Sequence, residues 1–373
     1  MAIKKRYSKF ETFVLFEEQE IINRTYPKKR KKVQEYEKYD HIKDNLGKKK
    51  YTTKFLRKLV PTMRKKGFYI PKKEQRKIDW SAYTINQIND IADTLHFIRK
   101  EVDKIHKPRK HTSVGRPPTD EGKLAKAILF IELFGIPERK AEGWIYLIGH
   151  HLGIEKRIDD RVIGKAYKKR GVIAILYQIF ENNKSCDGIM GGDGTGLEVS
   201  RKENYESTKK KGKYMTSIVD SREVVQEFDT SGEQECIIMH ELVKKIAKDL
   251  KKDVNKLLKK TKLTLDSGFV DKKLVQLIEN SGMIPYIFPK KNNKLKADGY
   301  PGWKRMLMKL IKNVQKWLRE YHIRSHTESF HSSFKRIFGI VTKRLNNTIF
   351  TQVLVRIIHN NRRKINYFNM ASF

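Results

Sequence analysis

Residues Cys186–Ser200, CDGIMGGDGTGLEVS, are where the chain changes character, and their reading decides the fold. Asp193 stands among five glycines, at 188, 191, 192, 194 and 196, in a segment that otherwise reads as a strand. Downstream, KYMTSIVDSREVVQEFDT (213–230) reads as two strands about a turn at Asp220-Ser221-Arg222. The run 231–260, opening after Ser231-Gly232, has helical periodicity, and KLTLDSGF (262–269) is a short strand ending on Asp266. DKKLVQLIENSG (271–282) is a helix closed by Gly282, and MIPYIFPKK (283–291) is a further strand. A basic loop then leads to a helix from about Trp303. The order β-β-β-α-β-α-β-α predicts an α/β domain over 185–373, with a mixed sheet and flanking helices. The apolar-periodic helix FTQVLVRIIHNNRRKI (350–365) is expected to pack behind it.

Toward the N-terminus, residues 119–184 read as a compact helical block. Thr119-Asp120-Glu121 opens a first helix, Gly135-Ile136-Pro137 breaks it, and ERKAEGWIYLIGHHL (138–152) ends near Gly153. DDRVIGKAYKKR (159–170) is basic and is expected to stop at Gly171. Short helices, a tight glycine turn and a basic last member suit a helix-turn-helix-like DNA-binding unit, although many small bundles share the pattern. His150 and His151 are adjacent and cannot form a metal pair on one helix face. Before the block, HKPRKHTSVGRPP (106–118) is a linker in which Arg116 is a candidate DNA-contacting cation. Residues 83–105 carry Ile85, Ile88, Ile91, Leu95, Ile98, Val102 and Ile105 at helical spacing, predicting an amphipathic helix. Residues 1–118 as a whole are expected to be basic and all-α.

Composition narrows the partner. Lys+Arg number 81 against 43 Asp+Glu, a formal net charge of +38 over 373 residues, which points to a polyanion. Residues 1–120 hold 32 basic and 15 acidic side chains and are the denser electrostatic footprint. A membrane partner is disfavoured, because the longest apolar runs, AILFIELFGI and GVIAILYQIF, are too short to span a bilayer. The first twenty residues lack a signal-peptide pattern. Only Cys186 and Cys236 occur, with no CxxC, which supports neither a disulfide framework nor a cysteine zinc site. A cytoplasmic, nucleoid-associated protein binding double-stranded DNA is the expectation.

Three carboxylates stand in corresponding places: Asp193 on the first strand, Asp266 at the end of a later one, and Glu328 on a late helix. Strand ends are where α/β sheets place their sites. Converging carboxylates repel each other unless a cation lies between them, and hard oxygen donors select Mg²⁺ or Mn²⁺. Two such ions about 3.5–4 Å apart can activate a nucleophile and stabilise the leaving oxygen at phosphorus. Ordinary readings remain open: Asp193 as a turn residue, Asp266 as a helix cap. Around Glu328, YHIRSHTESFHSSFK (321–335) aligns Tyr321, Arg324, Glu328 and Lys335 within about 60° if it is one helix at about 100° per residue. That stripe suits a metal beside a long polyanion, and also a solvated face with an Arg–Glu pair.

The spacing Tyr321-x2-Arg324-x3-Glu328-x6-Lys335 resembles the tyrosine–arginine–glutamate–lysine signature of insertion-sequence DDE transposases of bacteria and archaea. DGTGLEV and LTLDSGFVD resemble that family's two aspartate motifs, and the likeness covers roughly 185–345. It implies a ribonuclease-H-like catalytic domain in which Asp193, Asp266 and Glu328 bind two metal ions. Tyr321, Arg324 and Lys335 would contact DNA near the cut. The implied activity is hydrolysis at the element's ends, then attack of the freed 3′-hydroxyl on target DNA. The N-terminal part would hold the terminal inverted repeats, with a homodimer in the synaptic complex. Only 61 residues separate Asp266 from Glu328, too few for the β-rich insertion of some relatives. This puts a hairpin intermediate in doubt, and Trp303 and Phe269 are the candidates for stacking on a flipped base. A catalytically silent DNA-binding protein derived from a transposase, or a structure-specific nuclease on the same fold, are the alternatives.

Overall fold

The structure is a computed structural model that describes residues 42–43, 49–65, 67–69, 78–108, 114, 117–199, 213–232, 234–252 and 261–371. Arg116 lies outside them. The chain divides into two compact units, residues 1–74 with 289–319, and residues 75–288 with 320–373.

In the first unit, β1 (Ile42–Lys43) pairs antiparallel with β2 (Lys49–Lys50), and α1 spans Thr53–Met63. The expectation of an all-helical N-terminus falls largely outside the described residues, and the β1–β2 pair departs from it. Thr52 caps α1 by accepting from the Phe55 amide, and Leu56, Leu59, Val60 and Met63 form its buried face. Leu295 donates its amide to Thr53 Oγ1, so this N-terminal helix packs with the segment after the sheet. Trp303 is fully buried there, its indole N–H donating to the Lys294 carbonyl at 2.8 Å. It is a core residue, not a stacking platform.

The second unit holds a helical layer and the sheet. The helices are α2 (Trp80–Ile105), α3 (Glu121–Leu133), α4 (Glu138–Ile148), α5 (Asp160–Ala166) and α6 (Arg170–Asn182). Gly153, at φ 69°, closes the 3-10 turn that follows α4. Gly171 does not stop a helix but lies inside α6, where its missing Cβ makes room for the Glu121 carboxylate. The sheet strands are β3 (Ile189–Leu197), β4 (Lys213–Asp220), β5 (Val225–Asp229), β6 (Lys262–Leu265) and β7 (Ile284–Ile287). Between and after the last three come α7 (Glu235–Lys252) and α8 (Lys272–Asn280). Helix α9 (Pro301–Lys312) and most of α10 (Val314–Tyr321) belong to the first unit, while α11 (Ser325–Phe338) and α12 (Asn346–Met370) complete the second.

The sheet order is β5-β4-β3-β6-β7, with β3–β4 and β4–β5 antiparallel and β3–β6 and β6–β7 parallel. The mixed sheet with flanking helices is therefore as the sequence predicts. Among the described residues, no helix is long and apolar enough to cross a membrane.

Helix α2 corrects the periodicity reading. Ile98 and Val102 are buried, but Ile85, Ile88 and Ile91 are exposed, while Asn86 and Thr94 are buried. The reason is α12, whose C-terminal half is polar: Asp90 pairs with Arg362 and Arg363, and Asn86 donates to the Arg363 carbonyl. A polar partner selects the polar face.

Two glycines of β3, Gly191 and Gly192, are explained by packing on both faces of the strand. A Cβ at Gly191 would lie 2.3 Å from Thr327 Oγ1 on α11, and one at Gly192 would lie 2.5 Å from Leu265 and 2.9 Å from Met239 on α7. Helices thus approach the central strand more closely than any side chain there would allow. Gly191→Ala is expected to cost about 1–3 kcal/mol by overpacking against a buried helix. Gly196→Ala, where a Cβ meets nothing within 4 Å, should be close to neutral. Chemical denaturation of the two variants side by side checks this, and equal stabilities would refute it.

Candidate active site

The parallel register pairs Gly192 with Leu265, so the residues that follow, Asp193 within β3 and Asp266 just past the end of β6, lie side by side. Both fall on the sheet face opposite Gly192, the face on which α11 packs against β3 and β4. Tyr321 to Lys335 is not one unbroken helix. Helix α10 ends at Tyr321, a 3-10 turn spans His322–Arg324, and α11 begins at Ser325. A 3-10 turn eclipses residues three apart, so Tyr321 and Arg324 present their polar ends to the same part of the sheet, at β3 and the end of β6.

Each then meets one aspartate. The Tyr321 hydroxyl donates to Asp266 Oδ1 at 3.3 Å, and Arg324 Nη1 donates to Asp193 Oδ2 at 3.3 Å. Arg324 Nη2 also donates to Glu328 Oε1 at 2.5 Å, one helical turn on. One guanidinium therefore spans the first aspartate and the glutamate. Oxygens of Asp193, Asp266 and Glu328 do not all come within 4.8 Å of one another, as those of a closed ligand set would. Glu328 is 56% exposed, whereas Asp193 is 24% and Arg324 19%. Lys335 is exposed on the last turn of α11.

The electrostatics follow from burial and proximity. Burial pushes the Asp193 carboxyl above its ordinary range; Arg324 and the Gly194 amide oppose this, and the charges of Asp266 and Glu328 add to it. Burial likewise pushes the Tyr321 phenol up, with Asp266 adding to the shift against Arg324, so it stays a hydrogen-bond donor at neutral pH. Burial works against charge on Arg324, but Tyr321, Glu328, Asp193 and Asp266 outweigh it and raise its pKa. A half-buried carboxylate with two anionic neighbours and one compensating cation suits a divalent ion by its donor chemistry: hard oxygens, negative charge in excess of positive.

Beneath this layer lies a pair that sequence reasoning missed. Ser217 is the β4 register partner of Asp193, and its hydroxyl sits 2.9 Å from His331 Nε2 on α11. Burial, with Lys335 nearby, lowers the His331 pKa to about 4, so this contact is neutral and holds α11 to the strand behind Asp193. No local signal marks it, since the two residues lie 114 apart in sequence. Phe269, on the 3-10 turn after Asp266, is 2% exposed and so is core, not a stacking aromatic.

Residues 188–359 match the family model described as a transposase DDE domain. That span begins at β3 and contains both aspartates and the whole Tyr321–Lys335 stretch. Residues 188–359 are a transposase DDE domain. The chain is also 25% identical, over 79% of its length and 90% of the relative's, to a probable transposase for insertion sequence element ISA1214 from Archaeoglobus fulgidus. No solved structure matches the transposase significantly. The DDE domain makes the chain an enzyme of the DDE transposase type, which uses divalent metal and takes DNA as substrate.

Proposed function

We propose that this transposase binds the ends of an insertion sequence, hydrolyses the phosphodiester at each end and joins the freed 3′-hydroxyl to target DNA. Asp193, Asp266 and Glu328 are the residues to hold two divalent ions, Mg²⁺ or Mn²⁺. Such ions supply nucleophile activation and charge stabilisation at phosphorus. The observation that carries the reading is the Arg324 bridge, which joins Asp193 to Glu328 while Tyr321 holds Asp266. Residues of one signature, far apart in sequence from both aspartates, meet them at the central strand β3 and the end of β6. The strand order β5-β4-β3-β6-β7 is that expected of a ribonuclease-H-like domain.

Arg324 and Lys335 are the cations assigned to the scissile strand, with Tyr321 as a neutral donor beside them. Residues 1–118 and the helical block 119–184, preceding the catalytic part 185–373, are assigned to the terminal inverted repeats. Arg116 contributes a nonspecific phosphate contact. The protein works in the cytoplasm at the nucleoid, and a homodimer pairs two ends.

The test is a supercoiled plasmid carrying the element's ends, incubated with protein and Mg²⁺ or Mn²⁺. Nicking at the ends followed by joined products is expected. Cutting without joining would leave a nuclease, and binding without cutting a silent DNA-binding protein. Lys335→Ala should weaken end binding and lower the salt slope by about one, with little change in the cleavage rate at saturating protein. An unchanged slope would return Lys335 to a solvated helix face.

A further inference from the structure

The first two turns of α7 and the start of α8 bring together a sulfur, an imidazole and a carboxylate that the chemistry proposed above does not use. Cys236 and His240 are four residues apart on α7 and so share one helix face. Asp271 is the N-cap of α8, in the connection that begins with Asp266. His240 Nε2 lies 2.8 Å from Asp271 Oδ2, and with the Cys236 thiol the three ligand atoms all fall within 4.8 Å of one another. All three residues are partly buried. In a tetrahedral site with Zn–S about 2.3 Å and Zn–N and Zn–O about 2.0–2.1 Å, ligand atoms sit roughly 3.3–3.8 Å apart. Small rotamer adjustments close the difference.

We propose that Cys236, His240 and Asp271 bind a divalent transition ion of the Zn²⁺ class, with water at the fourth position. The thiolate and imidazole select against Mg²⁺, so this site and the carboxylates at Asp193 take different metals. The carboxylate is already aimed: Asp271 accepts the Lys273 amide on Oδ1 at 3.1 Å and the Leu274 amide on Oδ2 at 3.3 Å, fixing its orientation from behind. The other close acidic set, Glu181, Glu227 and Asp249, differs in kind. The Lys184 ammonium already fills it, at 2.8, 2.8 and 2.9 Å from the three carboxylates. An ion at Cys236 would tie α7 to the connection carrying Asp266, and so act as a fastener for the second aspartate.

The full chain, stripped of metal, should bind one equivalent of Co²⁺ with a thiolate-to-metal charge-transfer band. The band should persist in Cys186→Ser and Asp193→Asn, vanish in Cys236→Ser, and require at least tenfold more Co²⁺ in His240→Asn. In the unmutated chain, Zn²⁺ should shield Cys236 from alkylation while leaving Cys186 reactive, read by peptide mass. This arm does not depend on a variant folding. A missing charge-transfer band, a band that survives Cys236→Ser, or alkylation of Cys236 indifferent to Zn²⁺ would each overturn the site. So would displacement of the bound ion by an equal concentration of Mg²⁺. Because Asp193→Asn removes only the catalytic carboxylate, loss of cleavage with retention of the band separates this proposal from the transposition chemistry.

Discussion

Asp193→Asn is expected to lower metal-dependent cleavage of end-bearing DNA on the order of 10³-fold or more, and to raise the thermal midpoint of the metal-free protein. The first effect follows from charge. Asparagine keeps the shape but offers a neutral ligand, and metal stabilisation at phosphorus is worth several kcal/mol, with each 1.36 kcal/mol a factor of ten. The second follows from linkage. Burial, helped by Asp266 and Glu328, holds the Asp193 carboxyl above its ordinary range, so the folded chain binds that proton more tightly than the unfolded chain does. The stability this contributes is present below the ordinary carboxylate pKa and is lost as pH rises through the folded value. At neutral pH the ionised group therefore costs stability, and the neutral amide does not. The gain in midpoint should shrink on acidification, as the wild-type carboxyl takes up its proton. Cleavage at the wild-type rate would remove Asp193 from the metal set. A lower midpoint would mean that the Arg324 pairing outweighs the burial.

What the sequence made legible, and what it did not, divides along the range of the interactions. Strands and helices of the catalytic part could be read because turns at Asp220-Ser221-Arg222 and Gly282 punctuate them locally. The glycines about Asp193 announced close backbone approach, but not that Thr327 and Met239 make it from opposite faces. Tyr321–Lys335 would carry its four signature residues on one stripe only with one α-helical twist throughout. The 3-10 turn at His322–Arg324 adjusts it, and that adjustment sends Tyr321 to one aspartate and Arg324 to the other. Periodicity found the apolar stripe of α2 but could not know that α12 would offer it arginines. The helix forms as predicted, but Ile85, Ile88 and Ile91 on that stripe are exposed.

The second large effect lies in a polar core that periodicity hides altogether. Within the apolar run LFIELF, Glu132 on α3 is 7% exposed. It accepts from the Tyr167 hydroxyl at 2.6 Å, from Gln352 Nε2 at 2.8 and 3.0 Å, and from Arg356 Nε at 3.0 Å. Burial first, then the Glu132 charge, pushes the Tyr167 phenol well up, so it remains a donor. Glu132→Leu would strand the Arg356 guanidinium, itself 4% exposed, with the Ile340 carbonyl at 3.2 Å as its remaining hydrogen-bond acceptor among the described residues. An uncompensated buried charge of this kind costs about 3–5 kcal/mol. The double variant Glu132→Leu/Arg356→Met removes both charges and should recover most of that loss, because well-packed apolar pairs replace buried ion pairs at little cost. Urea denaturation of the two single variants and the double closes the cycle and isolates the coupling. A Glu132→Leu variant within about 0.5 kcal/mol of wild type, the range of ordinary surface substitutions, would show that the cluster does not hold α3 to α12. A large single loss with recovery in the double would show that the helical block before the sheet and the helix after it are joined through charge, not apolar contact alone.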